Sequence, residues 1–293
     1  TISGGYAWSG GADDTKKYGG GVYVVDAAMS IINCIVENNY ASYQAGGGYA
    51  SKSSLTVHDS IFRNNTANPG AAANGGAIYG VSNTTLNIAN TLFESNVAGV
   101  GGAISNSSGV TNIDRCRFFA NVTDNDLGNR HGGALYISGG TYGIVNSIFN
   151  GNRAKNDGGA IYQSWIGAST IANCVFFDNE AGMGTTSGRG GAIYHSTGDP
   201  VITNTAFWNN TADSGGPEVY SAAGNVAFKN CIIVLANVSC ANTMNECYGD
   251  DPQFTNPAAL DFTLKDISPC INTGTTVNAP PSDIDGNARD AKP

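Results

Sequence analysis

Three polar side chains stand at equivalent points of the sequence and are the first candidates for chemistry. His131, Asp157 and Arg189 each immediately precede two glycines, a small residue and an apolar residue. A lyase that cleaves an acidic polysaccharide needs a cation to neutralise a carboxylate and a base to abstract a proton. These residues are therefore candidate catalytic groups, and the neighbouring Arg130 is a candidate ligand contact.

Turn chemistry explains the same residues without catalysis, because polar side chains commonly flank glycine turns. The sequence contains no Ser-His-Asp nucleophile motif, no glycine-rich phosphate loop and no zinc-spaced cluster of Cys and His. We leave enzyme activity open and favour a non-catalytic protein. A polysaccharide lyase or glycoside hydrolase is the alternative.

A set of tyrosines forms the second candidate site, at the position after the apolar residue of the glycine motif. Alternation along a strand predicts that these rings point outward, where they suit sugars or a partner's surface. The other interpretation is cross-strand stacking that only stabilises a sheet. The set comprises Tyr23 and the candidate ligand-binding residues Tyr79, Tyr136, Tyr162, Tyr194 and Tyr220, with Ala50 and Ser105 as the exceptions.

Two acidic stretches carry enough oxygen ligands to hold Ca²⁺. Asp124 and Asp126 lie in one, and Asp283 and Asp285 lie in the other. Ordinary turns are the alternative interpretation of both. The sequence indicates no other cofactor.

The glycine motif that positions these residues is one of two motifs in an internal repeat. The second motif reads apolar, any, Asn or Asp, small, any, Phe, any, any, Asn, as in 88–96 and 171–179. A period near 28 residues is too short for helical hairpins, and Val, Ile, Thr and Phe favour strands. Glycine motifs occupy 19–22, 46–49, 75–78, 101–104, 132–135, 158–161 and 190–193, with a degenerate copy at 215–216.

This pattern predicts an all-β fold, a right-handed single-stranded parallel β-helix with about eight coils of 25–32 residues and a C-terminal cap. Stacked coils turn each repeat position into a ladder. One apolar ladder comprises Val36, Phe62, Phe93, Phe118, Phe149, Phe176, Phe207 and Ile233. A second comprises Ile31, Val57, Ile88, Ile113, Ile144, Ile171, Ile202 and Phe228. Stacked amides form the third, which comprises Asn39, Asn65, Asn96, Asn121, Asn152, Asn179 and Asn210.

We divide the chain into a truncated N-terminal coil or cap at 1–18, the β-helix repeats at 19–236 and a capping segment at 237–293. Every second coil has a longer loop, at 66–74, 122–131 and 180–189, which is either a binding surface or unconstrained drift. The first coil lacks an evident cover, which indicates either removal of upstream residues or end-to-end stacking of copies into filaments. We favour removal.

Composition excludes several kinds of partner. The net charge of −9 argues against nucleic acid, and no apolar stretch is long enough for a membrane span. Cys34, Cys116, Cys174 and Cys231 share a repeat position that holds Ser or Thr in the other coils, so we expect buried thiols there. Among Cys240, Cys247 and Cys270, one disulfide is expected to staple the cap.

The repeated Gly-Gly-Ala-Ile/Leu and Phe-x-x-Asn motifs resemble those of chlamydial polymorphic outer-membrane proteins and related bacterial surface proteins over residues 19–236. The tail resembles the C-terminal end of secreted parallel β-helix repeat proteins. These resemblances imply an exported or surface-displayed structural or adhesin-type protein with an extracellular glycan or protein surface as partner. The polysaccharide enzyme and the filament subunit remain the alternatives.

Overall fold

The computed structural model describes residues 1–8, 17–68, 72–124, 130–164, 167, 169–184, 187–277 and 279–289. These residues form 32 strands, most of them in a parallel β-solenoid in which each coil crosses three sheets in the same order. The predicted all-β parallel β-helix is confirmed. Within the described ranges, no helix has the length and apolar character needed to cross a membrane.

The first sheet has eight strands, one from each successive coil, and every pair is parallel and in register. Its strands are Ile2–Ser3, Ile35–Glu37, Ile61–Arg63, Leu92–Glu94, Arg117–Phe119, Ile148–Asn150, Val175–Phe177 and Ala206–Trp208.

The second sheet follows after a sharp turn and also has eight strands, each of two residues. Its strands are Tyr6–Ala7, Tyr40–Ala41, Thr66–Ala67, Val97–Ala98, Val122–Thr123, Arg153–Ala154, Glu180–Ala181 and Thr211–Ala212.

The third sheet has fourteen strands, because several coils cross it as two short strands rather than one long one. It carries the glycine-motif tyrosines. Its strands are Val22–Val25, Ala28–Ile32, Gly48–Ser51, Ser54–His58, Ile78–Ala89, Ile104–Asp114, Leu135–Ser138, Thr141–Val145, Ile161–Ser164, Ser169–Ala172, Ile193–His195, Val201–Thr203, Val219–Lys229 and Val238–Asn245.

The predicted apolar ladders fill the interior. Each Phe of the first ladder, from Phe62 to Phe207, is fully buried. Successive ladder rings stack with their centroids 4.7 to 5.3 Å apart. The register also joins Ile31 to Phe228 in the predicted order through every intervening coil. Both ladders are confirmed.

The asparagine ladder is confirmed as well. From Asn39 to Asn179, each amide Nδ2 donates to the Oδ1 of the next ladder asparagine. Every ladder Nδ2 also donates to a backbone carbonyl one coil back. The backbone N–H of each asparagine from Asn39 to Asn179 also donates to the next Oδ1. The residue before each ladder asparagine, such as Asn64 or Asp178, takes the left-handed conformation.

One copy of the glycine motif was placed wrongly. The register pairs Tyr49 with Tyr79 and Gly48 with Ile78, so the second copy covers 45–48 and not 46–49. Ala45 therefore takes the left-handed position that glycine fills elsewhere, with φ of 59° against 64° at Gly75. Tyr49, and not Ala50, belongs to the tyrosine position.

Coil length alternates along the stack. Successive ladder asparagines are 26, 31, 25, 31, 27 and 31 residues apart. The first two residues of each predicted longer loop are strands of the second sheet, and the central part of each loop lies outside the described residues.

The segment predicted as a cap has two structural parts. Val238–Asn245 pairs in parallel with Val219–Lys229 and extends the third sheet by one strand. The remainder contains the antiparallel pair Phe254–Asn256 and Asp261–Leu264 and folds back along the side of the solenoid. Thr275, Asp285 and Arg289 bind Asn204, Arg117 and Asn146 there. Short 3-10 helices cover Leu235–Asn237 and Pro257–Ala259.

All seven cysteines lie within the described residues, and each is a free thiol. Cys116, Cys174 and Cys231 are buried as expected, whereas Cys34 is half-buried. The expected disulfide within Cys240, Cys247 and Cys270 is wrong for this structure. Cys240 and Cys247 are separated by the extended strand Val238–Asn245, which holds them about 20 Å apart.

Candidate binding face on the third sheet

The tyrosines of the glycine motif form one continuous surface, which we call the tyrosine face. Strand register aligns each of them with its counterpart in the next coil, and Ser105 stands between Tyr79 and Tyr136. The tyrosine face comprises Tyr23, Tyr49, Tyr79, Tyr136, Tyr162, Tyr194 and Tyr220.

Four members, Tyr136, Tyr162, Tyr194 and Tyr220, form a parallel tyrosine stack. Their centroids lie 5.2, 4.8 and 5.3 Å apart with interplanar angles of 10° or less. Because each ring covers its neighbour, inner ring faces are closed to a sugar, and Tyr194 is only 6% exposed. The rings lie on the outer side of the sheet, opposite buried residues such as Leu135 and Ile161, as alternation predicts, but the stack presents ring edges and hydroxyl groups. Burial raises the pKa of Tyr136 and Tyr162, which keeps those hydroxyls protonated.

The three polar residues ahead of the double glycines stack in consecutive coils and touch. Asp157 Oδ1 accepts from Arg189 Nε at 3.1 Å, and Asp157 Oδ2 accepts from Arg189 Nη2 at 3.0 Å. The backbone N–H of Arg189 also donates to Asp157 Oδ1, at 3.0 Å. This bidentate pair is the strong form of an Arg–carboxylate contact and occupies both oxygens of Asp157.

His131 completes the cluster from the other side. Its Nδ1 accepts the backbone N–H of Asp157 at 3.3 Å, and its ring stacks on Tyr162 at 4.3 Å. An accepting Nδ1 places the proton of the neutral ring on Nε2. Burial lowers the pKa of His131, which also favours the neutral form.

Arg189 joins the polar cluster to the parallel tyrosine stack. Its guanidinium lies 5.0 Å from the Tyr194 ring centroid and 4.9 Å from that of Tyr220, within cation–π range. The hydrogen bonds that Arg189 donates to Asp157 raise the pKa of Arg189 above its already high usual value, so the group stays charged. The two candidate sites of the sequence are thus one surface.

Within this cluster, the lone pairs that a general base would use are engaged by other groups. The carboxylate of Asp157 is consumed by Arg189, and the lone pair of His131 is consumed by a backbone amide. A general base needs a free lone pair within reach of its substrate. The arrangement is suited to holding a rigid surface whose charges are internally balanced.

Sequence reasoning missed a more exposed aromatic cluster at the start of the same face, which we call the N-terminal aromatic cluster. It comprises Tyr18, Tyr23, Tyr43 and Tyr49. Tyr18 contacts the other three at centroid distances of 4.9 to 6.5 Å and with tilted or edge geometry. Tyr23 is 47% exposed and Tyr43 is 45% exposed, so these rings are open to solvent. Aromatic residues just ahead of the glycine motif were the available signal.

The candidate calcium residues are placed apart from this face. Asp285 pairs with Arg117 at 2.8 Å, and Asp283 accepts backbone N–H groups of Asp285 and Asn287 as in an ordinary turn. Asp124 pairs with Lys155 at 2.8 Å, and Asp126 lies outside the described residues. Across the described part of the chain, no three His, Cys, Asp or Glu side chains are grouped to hold a metal ion.

Arg130 lies one residue before His131, and its Nε is buried without a hydrogen-bond partner among the described residues. A shallow groove of about 340 Å³ lies elsewhere, between the first sheet and the folded-back tail, and was not predicted. Phe177, Trp208, Asp251 and Gln253 line it.

A family model confirms the repeats. The Chlamydia polymorphic membrane protein repeat matches residues 59–81, 146–164 and 173–196. Each match begins at the turn before a strand of the first sheet and includes the glycine motif that follows it. The probable outer membrane protein pmp7 of Chlamydia pneumoniae is 30% identical over 119 residues, which are 38% of this chain and 13% of that protein.

Two other proteins are similar to this chain over a longer stretch of its sequence. Metabotropic glutamate receptor-like protein R of Dictyostelium discoideum is 32% identical over 251 residues, which are 85% of this chain and 13% of that protein. The probable autotransporter YfaL of Escherichia coli (strain K12) is 29% identical over 257 residues, which are 77% of this chain and 18% of that protein. The chain thus spans less than a fifth of the length of these relatives.

No solved structure matches the chain significantly. The repeat match and the autotransporter and outer-membrane relatives place the chain outside the cell or at its surface. The chain is therefore an extracellular or cell-surface parallel β-solenoid, three segments of which match the Chlamydia polymorphic membrane protein repeat.

Proposed function

We propose that this chain is a non-catalytic, adhesin-type surface protein that binds extracellular glycans through its tyrosine face. The observation that carries the proposal is the N-terminal aromatic cluster, in which Tyr23 and Tyr43 are nearly half exposed and held at mixed angles. Exposed aromatic rings in a fixed arrangement provide apolar area at low entropic cost and carry a hydroxyl for polar contacts.

The parallel tyrosine stack extends the same surface toward the other end of the solenoid. Its protonated hydroxyls recur at one coil spacing, which suits hydrogen bonding to an extended polymer. Arg189 lies over Tyr194 and Tyr220, and its charge is balanced by Asp157 in a chain whose net charge is −9. We therefore expect neutral glycans to be preferred over acidic ones at that end.

The non-catalytic part of the proposal rests on the polar cluster. Asp157 is held by Arg189, and His131 accepts from a backbone amide, so these groups serve to stiffen the face. Incubation with acidic polysaccharides tests this directly. Unsaturated products that disappear with His131→Ala would contradict it.

The binding experiment uses a panel of immobilised acidic and neutral glycans and the chain with Tyr23→Ala and Tyr43→Ala combined. We expect at least a roughly tenfold loss of apparent affinity for the bound glycan, as for loss of a central aromatic anchor. The matched control is Tyr248→Ala, which removes an equally exposed tyrosine at the other end of the molecule and is expected to bind normally.

Equal binding by the double variant and the unaltered chain would remove the N-terminal aromatic cluster from the proposal. Absence of glycan binding, together with capture by an immobilised extracellular protein, would replace the glycan by a protein surface. Because Tyr23 and Tyr43 lie at the surface, both variants are expected to keep the circular dichroism of the folded chain.

A further inference from the structure

A row of small side chains lies at the turn between the third and first sheets, and we call it the small-residue row. Each member donates its side-chain S–H or O–H to the carbonyl two residues earlier, as Ser147 does to Val145 at 2.7 Å and Cys231 to Lys229 at 3.4 Å. Its members in the repeats are Cys34, Ser60, Thr91, Cys116, Ser147, Cys174, Thr205 and Cys231.

The row continues one coil beyond the predicted repeats. Pairing of Lys229 with Asn245 and of Ile232 with Tyr248 sets Cys247 directly against Cys231. The backbone N–H of Tyr248 donates to the carbonyl of Cys231 at 2.9 Å, which joins the two coils at this point. Cys247 repeats the pattern of the row by donating its thiol to the Asn245 carbonyl at 3.5 Å.

Cys231 and Cys247 differ from every other pair of neighbours in the small-residue row. Cys116 lies between Thr91 and Ser147, so its neighbours are hydroxyl side chains, and Ser147 Oγ accepts the Cys116 N–H at 3.1 Å. All nine positions are within the described residues, and Cys231 and Cys247 are the one adjacent pair of cysteines among them.

We propose that Cys231 and Cys247 form an intramolecular disulfide that locks the last coil of the solenoid after export. In-register neighbours on parallel strands are about 4.8 Å apart, which lies within the Cα separation that a disulfide spans. Disulfides form and persist outside the cell, where this chain resides.

The two thiols differ in access and acidity. Cys231 is fully buried, whereas Cys247 is half-buried and can be reached from solvent. The pKa of Cys247 is lowered by the neighbouring Cys231 thiol, and burial raises the pKa of Cys231. Cys247 is therefore the first nucleophile, since the thiolate is the reactive form.

A small disulfide such as oxidised glutathione is the oxidant. The Cys247 thiolate attacks one sulfur of that disulfide, forms a mixed disulfide and releases one glutathione thiolate. Cys231 then loses its proton, and its sulfur attacks the Cys247 sulfur and expels the second glutathione. Two protein S–H groups are thereby replaced by one S–S bond, and two molecules of reduced glutathione are formed.

The place of the bond in the fold gives it a role. Val238–Asn245 ends the third sheet and pairs with a strand on one side only, so it is the first strand expected to fray. The tail that folds back along the solenoid begins just after it. A bond at Cys247 anchors both to the penultimate coil.

The test uses the full chain with Cys240→Ser and Cys270→Ser, so that Cys231 and Cys247 are the two cysteines near the C-terminal end. Oxidation with oxidised glutathione is followed by alkylation and cleavage after glutamate, which cuts at Glu246 between them. We expect one linked pair, 219–246 with 247–293, that separates on reduction. We also expect the thermal unfolding midpoint to rise by several degrees on oxidation.

Cys247→Ser is expected to fold, because serine already occupies this row position at Ser60 and Ser147, and to lose both the linkage and the rise in midpoint. Cys116→Ser is the matched control and is expected to keep both. Recovery of both cysteines in alkylated form after oxidation would overturn the proposal. Disulfide-linked dimers on a non-reducing gel in place of the internal linkage would overturn it as well.

Discussion

The asparagine ladder and the tyrosine face obey the same stacking rule but differ in what they show to solvent. Each ladder asparagine is buried, and its amide is hydrogen-bonded on both sides. The tyrosine face runs from nearly half-exposed rings at Tyr23 to the covered ring of Tyr194, and it tolerates Ser105 within it. Every position of the asparagine ladder keeps asparagine because a buried amide without a hydrogen-bond partner is costly. Positions of the tyrosine face accept other residues because the face lies at the surface.

The largest expected effect is on the ladder side of this comparison. Asn121→Ala removes the acceptor of the Asn96 N–H and Nδ2 and the donor to the Phe93 carbonyl. We expect a loss of about 4 kcal/mol in the free energy of unfolding, because several buried groups lose their partner at once. Chemical denaturation measures it.

The control is Asn112→Ala, which removes an exposed asparagine from the same coil and is expected to cost less than about 0.5 kcal/mol. Equal losses in the two variants would mean that stacking of buried amides contributes little to this fold.

The next effect comes from the end of the ladder. Asn210 Nδ2 donates to Glu218 Oε2 at 2.5 Å, and burial raises the pKa of Glu218 to about 7. The folded chain binds the proton of the Glu218 carboxyl more tightly than the unfolded chain does. The stabilisation of the folded state by protonated Glu218 is therefore complete below about pH 4.5. It is lost as the pH rises through about 7. We expect a decrease of about 3 kcal/mol across that window.

The measurement is the difference in unfolding free energy between the unaltered chain and Glu218→Gln at several pH values, which cancels the other titrating groups. A difference that does not change with pH would show that Glu218 is ionised at the end of the ladder throughout.

The smallest effect is expected on the tyrosine face. Tyr162→Leu removes ring contacts to Tyr136, Tyr194 and His131 while keeping an apolar side chain on the sheet. We expect a loss of about 1 kcal/mol in unfolding free energy. A loss as large as that of Asn121→Ala would erase the distinction between the two regions, and Tyr248→Leu serves as the reference for a tyrosine outside the face.

The interior ladders could be predicted from the sequence because each repeats one residue type at one motif position. The position predicted for the second glycine motif, 46–49, was wrong because three consecutive glycines fit the motif in two ways. The left-handed conformation of Ala45 shows which of the two is correct. The stacking of His131, Asp157 and Arg189 followed from their place before the glycines. Their hydrogen bonds did not, since a shared ladder position does not specify which side chains pair.

Other features depend on contacts that no repeat encodes. Tyr18 and Tyr43 reach the tyrosine face from outside the motif, so alignment of the repeats does not bring them together. The tail binds residues 143 and 168 positions earlier in the chain, through Arg289 and Asp285. Such pairs become visible only when the path of the whole chain is known.

The alternation of short and long coils has an evolutionary consequence. Gain or loss of a single coil would set two long coils, or two short ones, side by side and break the order of the loops along the second sheet. A recombination event that copies or deletes two coils together would preserve every neighbour relation. The unit in which such a chain can lengthen or shorten is therefore the pair of coils, and homologues of different length are expected to differ by whole pairs.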